Sequence, residues 1–310
     1  MSLSLLEQKE FMIAEQELGT DLFNKHFRNV FGIPSLDFVT SLVINLPESC
    51  YANCDYCIDT YLRKNPIDNE RFLEICEKVL QEFPNTKSIA ITGGSLNATD
   101  FNRLVDMIKE YFPDSYINWN TNGIGVTEEY LSGISKINHI NLHRNSVDDE
   151  ENKKVFRTGK KILSIDEAKK LFGKRLCLRV TVDENFNLDD YSQEGVPLYL
   201  NRLLPGTEAT DSVFNSVVEK LKISNDVDTR RRNVYLTADY QGVPVRICMG
   251  DKQANHVPNR RPTFLNVAIV HRSGIVCGSW YEDDKVLYNP YEKEKVPVED
   301  NGLRISKIKK

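Results

Sequence analysis

Strand-length apolar runs and helix-spaced apolar stripes alternate along most of the chain. Ser41 to Leu46, Ser88 to Thr92, Ile117 to Asn120, Ile137 to Leu142, Leu176 to Val182 and Val196 to Leu203 are short and bounded by polar segments, which predicts strands. Between them, Phe72, Ile75, Cys76, Val79, Leu80 and Phe83 recur at three- and four-residue spacing and predict a helix over Glu70 to Phe83. Phe101, Leu104, Val105, Ile108 and Phe112 do the same over Phe101 to Phe112. Ser164 and Glu167 have the spacing of a capping box, and Gly173 closes that helix. Thr210 or Asp211 is the expected cap of a further helix, whose buried stripe is Val213, Phe214, Val217, Val218 and Leu221.

Six strands alternating with helices imply parallel β–α units in a sheet buried on both faces. The expected class is α/β, a partial (β/α)6 barrel. The pattern changes after about Asn225. Asn233 to Tyr240 and Val243 to Cys248, joined by Gln241-Gly242, read as a hairpin, as do Phe264 to Val270 and Ile275 to Trp280 joined through Ser273-Gly274. Residues 226–310 therefore form an expected antiparallel C-terminal extension, 41–225 the barrel, and 1–40, ending after the Gly32-Ile33-Pro34 break, an N-terminal extension.

Composition narrows the function. Hydrophobic residues at 40% and charged residues at 27% give an ordinary globular balance, and a net charge of −5 argues against bulk nucleic-acid binding. No apolar run approaches the roughly 18 to 20 residues that span a bilayer, and the first residues lack a basic segment followed by an apolar core. The expected compartment is the cytoplasm, with no membrane partner.

Seven cysteines in such a chain read as thiols or metal ligands rather than a disulfide framework. Cys76, Cys177, Cys248 and Cys277 are scattered; Cys248 and Cys277 have a second cluster as one reading, but they and Cys76 read as small buried residues, whereas Cys50, Cys54 and Cys57 share one eight-residue segment directly after the first strand. Three thiolates on one loop suit three irons of a [4Fe–4S] cube and leave the fourth open for chemistry. Loops at the C-terminal ends of barrel strands are where such folds keep their active sites. The competing reading is a zinc knuckle with a distant fourth ligand. It lacks a second cysteine pair, and the nearest histidines are His26 and His139.

Cys-x3-Cys-x2-Cys with Tyr56 before the third cysteine resembles the signature of the radical S-adenosylmethionine (SAM) superfamily. Ile91-Thr92-Gly93-Gly94 resembles its glycine-rich SAM-binding motif, and Asn120-Thr121-Asn122-Gly123 resembles the turn of the branch containing the molybdenum-cofactor GTP cyclase and viperin. The resemblance covers residues 41 to about 205. It implies a [4Fe–4S] cluster whose open iron binds SAM, cleaves it to a 5′-deoxyadenosyl radical and so abstracts hydrogen from a small-molecule, nucleotide or peptide substrate. It also implies an electron donor such as flavodoxin or ferredoxin. The metal ligands are then Cys50, Cys54 and Cys57. The SAM contacts are Tyr56, Gly93, Gly94, Ser95, Asn120, His143, Arg144 and Arg179, with Arg144 suited to the SAM carboxylate. Ser95 stands where the family usually carries a glutamate that meets the SAM amino group. That departure is the main support for the alternative, a non-catalytic iron–sulfur or zinc-binding regulatory protein that keeps the fold.

Other basic residues have two readings each. Arg179 and Thr181 in the fifth strand and Arg202 in the sixth suit an anionic partner or an internal salt bridge. Arg230-Arg231-Arg232 and Arg260-Arg261 suit phosphate groups or a solvated charge run. The acidic residues Asp148 to Glu151 read as a helix start.

Overall fold

The computed structural model describes residues 39–48, 50–54, 57, 67–203, 206–221, 227–228, 235–248, 267–278 and 286–291. The expected N-terminal extension up to residue 38, Tyr56, Arg230 to Arg232, Arg260, Arg261 and the side chain of Cys248 lie outside them. The elements in chain order are β1 (Ser41–Leu46), α1 (Asn69–Glu82), β2 (Ser88–Gly93), α2 (Ala98–Tyr111), β3 (Tyr116–Thr121), α3 (Leu131–Ile134), β4 (His139–Arg144) and α4 (Asp149–Phe156). They continue with α5 (Ile165–Phe172), β5 (Leu176–Val182), α6 (Leu188–Ser192), β6 (Leu198–Arg202), α7 (Glu208–Lys220), β7 (Val227–Asp228), β8 (Tyr235–Tyr240), β9 (Val243–Cys248), β10 (Val267–Val270), β11 (Val276–Cys277) and β12 (Val286–Tyr288). The class is the expected α/β: the β–α repeats of a partial barrel with antiparallel strands in the C-terminal part.

The chain divides into two compact units, one of residues 1–49, 59–117 and 261–310, the other of residues 50–58 and 118–260. In the first, β1 and β2 pair in parallel from Ser41↔Ser88 to Leu46↔Gly93. Helix α1 starts where the Asp68 carboxylate accepts from Arg71 N at 2.9 Å, and α2 where Asn97 accepts from Asp100 N at 3.0 Å. Their buried faces, Phe72, Ile75, Cys76, Val79 and Leu80 on α1 and Phe101, Leu104, Val105 and Ile108 on α2, are the stripes that the spacing predicts. Desolvation pushes the Cys76 thiol far up, so it stays protonated.

In the second unit β3, β4, β5 and β6 run parallel in that order. Successive side chains of a strand point to opposite faces. One face carries Trp119, Ile140, Leu142, Leu178, Val180 and Leu200, all buried. The other carries Asn118, Asn120, Asn141, His143, Arg179 and Thr181. The apolar face is buried, whereas on the polar face Asn141 and Thr181 are buried and the other four residues half-buried. A face lined with amides, imidazole and guanidinium suits a polar ligand rather than a packed interior.

The C-terminal part carries the expected antiparallel pairs. Strands β8 and β9 form the expected hairpin through Gln241-Gly242, and β10 and β11 pair antiparallel. Yet β9 also runs parallel to β6, and β10 parallel to β1. Each inner strand thereby satisfies a row of backbone groups that a sheet edge would leave open. Helix α7 begins earlier than expected, because Thr207 rather than Thr210 is its cap, and Thr210 completes a capping box three residues on.

Phe72 is fully buried in the first turn of α1. Phe72→Ala is expected to lower unfolding free energy by about 3–5 kcal/mol, read as a shift of the urea midpoint.

Candidate functional site

The loop after β1 is anchored between its first two cysteines. Ala52 inserts into a small buried cluster with Ile124, Phe156 and Ile162, against which Cys50 and Cys54 pack. Asn53 N donates to the Phe156 carbonyl at 2.8 Å, and Cys57 N to the Cys54 carbonyl at 3.2 Å. All three cysteines are outside any disulfide and partly buried. Ala52 N approaches the Cys50 sulfur at 3.4 Å and Asn122 Nδ2 donates to it at 3.2 Å. Donors aimed at sulfur are the outer-shell partners that a metal-bound thiolate takes. Among the described residues no three His, Cys, Asp or Glu side chains gather around one point as a single chelated ion requires. Three thiolates on separate irons of one cube do not need that convergence, so the donor set fits an iron–sulfur cluster.

Asn122 is held in place by a buried arginine. Arg144 is 0% exposed, and its guanidinium donates to the carbonyls of Asn122 at 2.9 Å and His143 at 2.8 Å and also to that of Leu163. Desolvation lowers its pKa to about 10, against the attraction of Asp149, so it remains charged at neutral pH. Gly123 completes the turn: its φ is +76°, and a Cβ there would lie 2.9 Å from Leu142 Cδ1 and 3.1 Å from Leu163 Cβ. Arg144 thus lies with Leu142 on the apolar side of β4, not among the ligand-facing residues where the sequence puts it. Its Nη groups are committed to backbone carbonyls.

In the first unit, Gly94 closes against the backbone that leads to the cysteines. A Cβ at Gly94 would overlap the Glu48 carbonyl and lie 2.7 Å from that of Leu46. Ser95 N donates to the Glu48 carbonyl at 3.1 Å, and Ser95 Oγ donates to the Glu48 carboxylate at 3.4 Å. Asn69 Nδ2 holds the other carboxylate oxygen at 2.5 Å. A carboxylate therefore sits beside Ser95 although residue 95 itself has none. Sequence reasoning passed over Glu48, and nothing local marks it: the two residues lie 47 positions apart.

On the polar face of the second unit the amides bond one another. Asn141 Nδ2 donates to Asn118 Oδ1 at 3.0 Å and Asn120 Oδ1 at 2.9 Å, while His139 Nε2 meets Asn141 Oδ1 at 3.0 Å. Arg179 reaches Asn120 Oδ1 at 3.2 Å. Asn120, His143 and Arg179 are thus brought to one face, and Asn122 is the further residue that joins it to the cysteine loop. Desolvation, then Arg179 and Arg144, push the His143 pKa down to about 3, so the ring is neutral. Arg202 turns to Asp211, with Nε at 2.7 Å, which settles it as an internal salt bridge. Cys177 and Cys277 are buried, and the acidic run starts α4 with Asp148 accepting from Glu150 N and Glu151 N.

Residues 44–191 match the family model described as the radical SAM superfamily. The cofactors of that superfamily are a [4Fe–4S] cluster and SAM. No protein with a curated description matches the chain. Two solved structures of Streptococcus suis SuiB are similar, one bound to S-adenosylmethionine and one to the precursor peptide SuiA. Their TM-scores are 0.53 and 0.52 at 13% identity, over 82% and 83% of this chain. The likeness shows the fold, and the chain spans 63% of SuiB in each case. No described helix is long and apolar enough to cross a membrane.

Gly94→Ala is expected to cost about 1–3 kcal/mol in urea unfolding. Gly159→Ala, where nothing lies within 4 Å, is expected to stay within about 0.5 kcal/mol of the native chain. His143 supplies a pH test. Its folded pKa lies below the ordinary 6.5, so its stability contribution is complete above pH 6.5 and is lost as pH falls toward 3, because the unfolded chain takes the proton first. In urea titrations of the cluster-free chain, His143→Gln is expected to lose less stability than the native chain between about pH 7.5 and 5.

Proposed function

We propose that the chain is a radical SAM enzyme in which Cys50, Cys54 and Cys57 hold a [4Fe–4S] cluster with one iron left for SAM. The observation that carries this reading is the Asn122 amide donating to the Cys50 sulfur, which ties the Asn120-Thr121-Asn122-Gly123 turn to the cysteine loop. When bound, the cluster and SAM supply one-electron sulfonium cleavage and abstraction of a substrate hydrogen atom. The chain's own residues orient and shelter. Asn122 and the Ala52 N–H disperse negative charge on the Cys50 sulfur and so tune the potential at which the cluster accepts an electron.

Glu48 restores what Ser95 lacks. Its carboxylate, fixed by Asn69 and Ser95, is the acceptor we assign to the SAM amino group, with Gly93 and Gly94 allowing close approach of the backbone. Asn120 and the neutral His143 are assigned to polar atoms of SAM, and Tyr56 remains a proposed contact. Arg144 is reassigned from the SAM carboxylate to shaping the turn. The turn supports kinship with the branch of the molybdenum-cofactor GTP cyclase and viperin. A reduced flavodoxin or ferredoxin is the expected electron donor and the cytoplasm the expected compartment, where thiols stay reduced. A zinc-binding regulatory role loses its main support once Glu48 stands beside Ser95.

Anaerobic reconstitution and reduction in the presence of SAM is expected to give 5′-deoxyadenosine and methionine. An intact cluster with bound SAM that yields neither contradicts the reading. Glu48→Gln is expected to weaken SAM binding about tenfold with iron content unchanged, the loss of roughly one charge-assisted bond. Cys54→Ala is expected to lose the cluster.

A further inference from the structure

Three residues of the second unit lie side by side across three parallel strands. Arg179 of β5 is in register with Tyr199 of β6, and Tyr199 with Arg246 of β9. They share the polar face with Asn120 and His143. Arg179 Cζ stands 5.2 Å from the centre of the Tyr199 ring and Arg246 Cζ 6.0 Å. Two guanidinium groups therefore converge on one aromatic ring, which steadies both.

We propose that Arg179 and Arg246, set on either side of Tyr199, bind an acidic group of the substrate, a carboxylate or a phosphate. The assignment rests on the radical SAM reading and adds the substrate's charge to it. The other arginines of the neighbouring strand ends have found their counterparts: Arg144 is surrounded by carbonyls, and Arg202 is paired with Asp211. Arg179 differs. Among the described residues its partners are neutral, the Asn120 side-chain oxygen at 3.2 Å and the Tyr199 ring. An oxyanion between the two guanidinium groups would accept from both planar donor sets. The field is felt by the neighbours. Both arginines pull the Cys177 thiol down against the burial that takes it up to about 12, and Arg179 helps to keep His143 uncharged. A neutral His143 leaves the positive charge of the row to the two arginines.

The test is calorimetric titration of the full chain with inorganic phosphate and, separately, with succinate. Each is run on the cluster-loaded protein saturated with SAM and on the cluster-free protein without SAM. Binding of either anion in both states is expected, with Arg179→Gln and Arg246→Gln each weakening it about tenfold or more. Iron content and SAM affinity of Arg246→Gln are expected to match the native chain. Binding of succinate alone assigns a carboxylate, and binding of phosphate alone assigns a phosphate. The proposal is overturned if neither anion binds, if both variants bind as the native chain does, or if SAM displaces the anion, which would give the row to SAM's own carboxylate. Failure to load iron or bind SAM would count against the enzyme reading, and the titration of the cluster-free chain would still decide this one.

Discussion

A guanidinium taken out of water must be surrounded by acceptors, and the burial of Arg144 shapes the second unit around that requirement. The carbonyls of Asn122, His143 and Leu163 turn inward to meet it. To bring the Asn122 carbonyl there, the chain after β3 folds into a turn that only Gly123 can close, because Leu142 and Leu163 occupy the space of a side chain. The turn in turn aims the Asn122 amide at Cys50. A charge that looks like a ligand contact in the sequence thus acts one residue removed from the cysteines, by fixing the group that touches one of them.

The sheet of the second unit divides its labour between its faces. The apolar face holds the helices, and the opposite face satisfies its buried amides by bonding them to one another. Asn141 alone engages Asn118, Asn120 and His139. Such a network fixes rotamers and so holds polar groups ready for a ligand. In the first unit the same economy appears on a smaller scale. Close approach at Gly94 sets Glu48 against Ser95, and Asn69 keeps the carboxylate from turning away.

The period of the apolar residues made the strands legible: Ser41–Leu46 and Leu176–Val182 begin and end where the pattern places them. The cysteine loop was legible because three thiols in eight residues have few other uses. Arg144 was misplaced, although its parity was visible: it shares a face with Ile140 and Leu142. Parity argues for the apolar side, but a charge at a strand end argues for a ligand, and the three carbonyls that decide the matter are scattered in sequence. Glu48 and Ser95 are separated in the same way, so no local pattern joins them. The parallel partners of β9 and β10 were hidden for a related reason. A hairpin is a local event, whereas the edge it joins is chosen by the whole sheet.

The central claim is that three cysteines leave one iron of a cluster free for SAM. The most direct measurement is the electron paramagnetic resonance spectrum of the anaerobically reconstituted, reduced protein before and after SAM is added. The account predicts the signal of a reduced [4Fe–4S] cluster whose g values shift on SAM binding, because the ligand set of one iron changes. A spectrum indifferent to saturating SAM, or a reconstituted protein that holds one zinc in place of iron and sulfide, would contradict it.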